Sequence, residues 1–206
     1  MLYKQKKVSS GINFLDRILN GGYENDTLTT ISGVPGSGKS SVSKLLAKKL
    51  KYNYFSIGTI MRELAKKKDL SIVELSILAE KDKNIDLELD EIQKGYSEMD
   101  DFVMDSRLGF YFISDSFKVF LTCPLKIAAE RIFKDPREDE KYNDLNDAIN
   151  KIKLRRKSEK KRYLKAYGID YTDPKYYDLL IDTSDKSVED VANIILSFLR
   201  QHLNLD

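Results

Sequence analysis

Within this 206-residue chain, Gly33-Val34-Pro35-Gly36-Ser37-Gly38-Lys39-Ser40 has the residue types and spacing that speak most directly of chemistry. It fills the pattern G-x-x-x-x-G-K-[ST] completely. Glycines so spaced let the backbone curl until its N–H groups point inward at phosphate oxygens, and a helix starting near Lys39 adds its positive dipole end. A lysine at that place reaches the β- and γ-phosphates of a nucleoside triphosphate, and the hydroxyl of Ser40 ligates Mg²⁺. The expected donor-binding set is therefore Gly33, Gly36, Ser37, Gly38, Lys39, Ser40 and Ser41, with ATP as co-substrate and Mg²⁺ as the metal. The loop is silent about the second substrate.

A second set of residues bears on that question. A phosphate acceptor is already ionised at neutral pH and needs no general base. The task is then to position two polyanions and screen their repulsion, which calls for arginines arriving from several elements. Arg62 lies one helical turn beyond a short strand, where it can grip a phosphate with two parallel hydrogen bonds. Arg107 follows another strand directly, and Asp105, which ends that strand, is suited either to a Mg²⁺-bound water or to orienting Arg107.

The elements that must hold these residues read as alternating strands and helices. Thr27–Ser32, Tyr54–Ile57, Asp101–Asp105, Phe117–Leu121 and Asp178–Asp182 read as five strands, rich in β-branched and aromatic residues. Helical periodicity covers Ser40–Lys51, about 59–68, 71–82 and 86–98, then 124–134 and Val188–Leu203. Alternation of this kind implies an α/β phosphate-loop fold: a five-stranded parallel sheet with helices on both faces and phosphate binding at the carboxyl ends of the strands. Residues 135–168 are rich in charge and poor in aliphatics, and read as an excursion from the sheet. Residues 1–26 read as an N-terminal extension with one short amphipathic helix, and 27–206 as the main domain.

From Leu28 to about Leu199 the chain resembles the cytidylate kinases, most closely their short archaeal-type form. Four stretches carry the resemblance: Ile31–Ser40; Ser56-Ile57-Gly58-Thr59-Ile60-Met61-Arg62-Glu63-Leu64-Ala65; Met104-Asp105-Ser106-Arg107-Leu108-Gly109; and Ser158-Glu159-Lys160-Lys161-Arg162-Tyr163 followed by Tyr167-Gly168-Ile169-Asp170. The resemblance implies phosphoryl transfer from ATP to CMP or dCMP. It implies a helical monophosphate-binding part at about 57–98 and a lid at about 135–168. Gly58, Arg62, Asp105 and Arg107 would then hold the acceptor, Arg131 would sit beside the donor nucleotide, and Arg155 and Arg162 would serve from the lid. Lys39, Arg107, Arg155 and Arg162 are the catalytic set so implied. Adenylate kinases usually carry Asp-Gly-Phe-Pro-Arg after the third strand, whereas this chain has Asp105-Ser106-Arg107-Leu108-Gly109. Ser106 is a departure from the family, which commonly has glycine there. Asp86, Asp90 and Gln93 fall on the helical insert at helix-compatible spacing; a base-edge contact is open to any of them, but surface helices commonly carry such residues and the favoured reading is a solvated helix face.

Lys153, Arg155, Arg156, Lys157, Lys160, Lys161, Arg162 and Lys165 crowd one short stretch with only Glu159 opposing them. As a lid this run supplies positive charge to the transferred phosphoryl and excludes water. Its alternative is a nucleic-acid patch. The acidic run Asp135–Glu140 adjoins it, and the whole chain carries 35 basic against 33 acidic side chains, a net charge of +2, which argues against that use. Ser10–Gly22, leading into the phosphate loop, is similar to the opening segment of recombinase-type ATPases, but the likeness stops at the loop. A kinase for AMP or UMP, a recombinase-like ATPase and a nucleic-acid-binding protein are the alternatives that remain. Cys123 is the only cysteine, which excludes an internal disulfide, fits a reducing compartment and reads as packing. His202, the only histidine, reads as solvated. No apolar run approaches the roughly 20 residues of a membrane span. The expectation is a cytoplasmic monomer acting on small nucleotides, without membrane or nucleic-acid partners.

Overall fold

The computed structural model describes residues 28–96, 99, 101–114, 116–136 and 140–202. The expected N-terminal extension, part of the acidic run and the His202 side chain lie outside the described residues. Five strands alternate with helices: β1 (Leu28–Gly33), β2 (Asn53–Ser56), β3 (Phe102–Asp105), β4 (Phe117–Thr122) and β5 (Leu179–Asp182). They form one sheet in the order β2-β3-β1-β4-β5, and every pairing is parallel. The α/β reading holds, with strand boundaries within a residue or two of those expected. The sheet order brings β1 between β3 and β4, so the ends of those strands open side by side.

Period-two alternation divides the core. Ile31, Val103, Val119, Leu121 and Ile181 pack beneath α1 (Lys39–Leu50) and α8 (Val188–His202). α1 presents Val42, Leu46, Ala47 and Leu50 to them at helical spacing, and Lys51 ends it in the left-handed region. On the opposite face, Phe102 and Met104 pack against α2 (Ile57–Lys67), α3 (Ile72–Leu78) and α4 (Lys83–Gly95). Ser71 starts α3 with a reciprocal capping box to Glu74. Two short pieces escaped the periodicity: α5 (Gly109–Phe112) and a 3₁₀ turn at Pro174–Tyr176.

After β4, α6 (Leu125–Lys134) leads to α7 (Leu145–Tyr167), a 23-residue helix between an Asp144 cap, which accepts the Asp147 N–H, and Gly168 at φ 70°. Charged as it is, this segment is not wholly apart from the core. Ala148, Ile152 and Tyr163 join Phe120, Tyr171 and Tyr177 in a buried cluster. The sequence hid this because α7 buries a narrow face in which Arg155, Glu159 and Arg162 continue the spacing of Ala148 and Ile152. Its lysines, Lys153, Lys157, Lys160, Lys161 and Lys165, are exposed. No described helix is long and apolar enough to cross a membrane.

Candidate active site

The carboxyl ends of the strands open into a cavity of about 820 Å³, within the size range of small-molecule sites. Of the residues expected from sequence, all but Gly33 line it. Gly33 lies just beneath, where the adjoining Val34 N–H donates to the Leu121 carbonyl at 3.2 Å.

One side of the cavity is made by the loop between β1 and α1. Gly36 has φ +78°, and a Cβ there would lie 2.6 Å from the Ala128 carbonyl oxygen, so the loop accepts only glycine at that point. α1 begins at Gly38 with no side-chain cap and no acid in its first turn. Its first N–H groups therefore remain available to an anion. Lys39 Nζ lies 2.6 Å from Asp105 Oδ1, and Ser40 Oγ donates to Asp105 Oδ2 at 2.6 Å. Alternation along β3 explains the meeting: Val103 packs under α1, and Asp105, two residues on, emerges on the same face at the start of that helix. Tyr54 OH adds a longer bond to Asp105, 3.4 Å. Burial pulls the Lys39 pKa down to about 8, although Asp105 opposes the shift. Burial alone would raise the Asp105 carboxyl, but the Lys39 ammonium outweighs it and holds the group below its ordinary value.

On the other side, Arg62 Nη2 donates to Thr59 Oγ1 at 3.1 Å, within the first turn and a half of α2. A Cβ on Gly58 would meet Arg62 at an ordinary 3.6 Å, so nothing in the structure explains glycine there. Arg107 turns away from Asp105. Its Nε donates to Glu159 Oε2 at 3.0 Å, Arg155 Nε donates to Glu159 Oε1 at 3.1 Å, and Tyr171 OH donates to Oε2 at 3.1 Å. Asp105 thus pairs with Lys39 and Ser40, not with Arg107, because a nearer buried acid takes the arginine. Glu159 is 3% exposed. Burial would raise its pKa, but Arg107 and then Arg155 overcome that and hold it at about 2. Glu159 was missed as a site residue; its signal was being the lone acid in a basic run.

Arg131 grips the segment after β5, donating to Thr183 Oγ1 at 3.0 Å and to the Ser184 carbonyl at 3.2 Å. Thr183 in turn donates to the Ser37 carbonyl at 3.1 Å, so Arg131 reaches the phosphate loop through a threonine that sequence reasoning did not single out. Arg162, 5% exposed, is paired with Asp86. Ser106 has a structural use: its hydroxyl donates to Gln93 Oε1 and accepts the Leu108 N–H at 3.1 Å, tying the Arg107 loop to α4. Cys123 is buried, its thiol 3.6 Å from the Gly36 carbonyl oxygen, in keeping with packing. The solvated helix face expected for Asp86, Asp90 and Gln93 is corrected: Asp86 is half-buried against Arg162, and Asp90 and Gln93 are 5% and 2% exposed, where Tyr167 reaches Asp90 and Ser106 reaches Gln93.

Comparison with known proteins decides the family. Residues 28–185 match the model of the cytidylate kinase-like family. The chain belongs to this family. It is 42% identical over 173 residues to a cytidylate kinase of Sulfolobus acidocaldarius, an alignment covering 82% of this chain and 92% of that protein. It is 37% identical to cytidylate kinases of Staphylothermus marinus (84% and 96% covered) and Methanocaldococcus jannaschii (82% and 96% covered). Among solved structures, the fold matches a shikimate kinase from Acinetobacter baumannii in complex with shikimate at TM-score 0.58 and 16% identity, over 86% of this chain and 94% of that one. An uncharacterized protein from Eubacterium ventriosum matches at TM-score 0.61 and 20% identity, over 84% and 98%. At such identities the structural matches speak to the phosphate-loop kinase fold alone.

Proposed function

We propose that this chain transfers the γ-phosphoryl group of MgATP to CMP or dCMP, giving ADP and CDP or dCDP. The observation that carries the reading is the convergence of Arg107 and Arg155 on Glu159 inside a cavity that begins at the phosphate loop. A hydrolase needs to position only a water. A second cluster of half-buried cations across from the loop is what a second polyanion requires.

In this reading the loop N–H groups and Lys39 cradle the donor phosphates. Ser40 would ligate Mg²⁺, and Asp105, which accepts a hydrogen bond from Ser40 Oγ at 2.6 Å, would hold the ion through a bound water. Mg²⁺ held there would supply charge neutralisation to the donor phosphates. Arg62 and Arg107 hold the acceptor phosphate, Arg155 and Arg162 add positive charge where the phosphoryl passes, and Arg131 steadies the nucleotide end of the loop. Glu159 keeps two guanidiniums close together before any phosphate arrives, which lowers the ordering cost at the moment of binding. Residues of about 135–168 act as the lid, those of about 57–98 as the monophosphate-binding part, and 1–26 as an appended segment. We read the protein as a monomer working where ATP is plentiful, in the cytoplasm.

The test is ADP release measured by a coupled assay with CMP, dCMP, UMP, AMP, GMP and dTMP in turn. CMP and dCMP are expected to give the largest stimulation over the rate with ATP alone. No stimulation by any of the six would overturn the kinase reading.

A further inference from the structure

The inner face of α4 is polar where a packed helix is ordinarily aliphatic. Asp86, Leu89, Asp90 and Gln93 follow the i, i+3, i+4, i+7 spacing and so share one side of the helix. Uncompensated buried polar groups cost roughly 1–3 kcal/mol each, so every one of them calls for a partner. Asp86 has Arg162. Gln93 accepts from Ser106 and donates one amide hydrogen to the Leu89 carbonyl at 3.3 Å, which leaves its second amide hydrogen unspent. Asp90 Oδ2 accepts from Tyr167 OH, but among the described residues nothing donates to Oδ1. Burial, partly offset by Tyr167, lifts the Asp90 carboxyl above its ordinary value, as expected of a carboxylate short of donors. Both residues line the cavity that Arg62 and Arg107 share, with Met61, Leu89 and Leu108 as apolar lining suited to the faces of a planar ring.

We propose that Asp90 selects the acceptor base. Its unpaired carboxylate oxygen accepts a hydrogen bond from an exocyclic amino group, while the spare N–H of Gln93 donates to the adjacent ring acceptor. The inference rests on the acceptor being a nucleoside monophosphate. Cytosine offers an amino donor at N4 beside acceptors at N3 and O2, and a carboxylate, which has lone pairs only, complements the N4 amino group. Uracil turns a carbonyl oxygen toward the same carboxylate and leaves both acceptors unpaired and repelling, which is discrimination by an unfavourable contact as much as by a favourable one. Adenine shares the amino-beside-acceptor pattern, so Asp90 separates cytosine from uracil and leaves exclusion of purines to the size of the site.

The experiment compares kcat/KM for CMP and UMP at saturating MgATP in the full chain, in Asp90→Asn and in Tyr167→Phe. Wild type is expected to prefer CMP, and Asp90→Asn, whose amide can donate to uracil O4, is expected to cut the CMP:UMP ratio at least about 10-fold, the scale of one good base-edge contact. Tyr167→Phe keeps the ratio. A wild type indifferent between CMP and UMP, or an Asp90→Asn ratio equal to wild type, overturns the inference while leaving the kinase reading intact. Equal shifts in Asp90→Asn and Tyr167→Phe overturn it too, by making Asp90 only a tether for α7. Activity with neither pyrimidine nucleotide overturns both readings. Should Asp90→Asn not fold, Gln93→Met gives an independent reading: kcat/KM for CMP falls at least about fivefold with ATP affinity kept, and an unchanged value removes the base-reading face of α4.

Discussion

Around the phosphate loop the cavity is walled largely by backbone, whereas across from it, between α4 and α7, it is walled by paired side chains from elements far apart in sequence. Gly36 and Gly38 adopt left-handed backbone angles, α1 starts uncapped, and two side chains from consecutive positions, Lys39 and Ser40, finish the donor end. The facing end depends on pairs such as Arg107 with Glu159, 52 positions apart, and Arg162 with Asp86, 76 apart. A site made from one short loop is a property of a motif. A site made from distant pairs is a property of the fold, and its parts should fail separately from the donor end.

The sharpest way to break that contrast is Arg107→Ala. If Arg107 holds the acceptor phosphate as proposed, loss of a charged contact of roughly 3 kcal/mol should lower kcat/KM for the monophosphate about 100-fold. MgATP affinity, measured separately by calorimetry, should stay within about threefold. A parallel loss of ATP affinity would mean that the two ends are one site, not two.

A smaller effect, about 10-fold on the acceptor KM, is expected of Glu159→Gln, since the arginines keep their charge but lose their common anchor. This variant also carries a pH signature. The folded-state pKa of Glu159 is about 2 against an ordinary 4.5, so its contribution is fully present above 4.5 and is lost as pH falls toward 2. The contribution is on the order of 3 kcal/mol. Urea unfolding across that window should show a shallower loss of stability on acidification in Glu159→Gln than in wild type. Identical slopes would remove Glu159 as the keystone of the arginine pair.

What sequence reading reached follows the same division. The eight residues of the loop, the five strands and the positions of Arg62, Arg107 and Asp105 were legible because each depends on local spacing: a curled turn, period two in a strand, one turn into a helix. Glu159 was seen as a stray acid, because nothing local says that Arg107 will come to it. Asp90 and Gln93 read as surface residues, because a polar helix face looks the same in sequence whether water or another polar helix lies against it. Thr183 gave no signal at all: its use depends on strand order, which brings the end of β5 within reach of Arg131 and Ser37. Orienting Arg107 was one of two uses open to Asp105, and the structure turns that arginine to a carboxylate from another element.

The central claim, that the second cationic cluster receives a phosphate and not a water, is tested most directly by following γ-labelled ATP to product with and without CMP. The account predicts that label appears in CDP when CMP is present, and that little inorganic phosphate forms without it. Label released as inorganic phosphate at the same rate with or without CMP would contradict it.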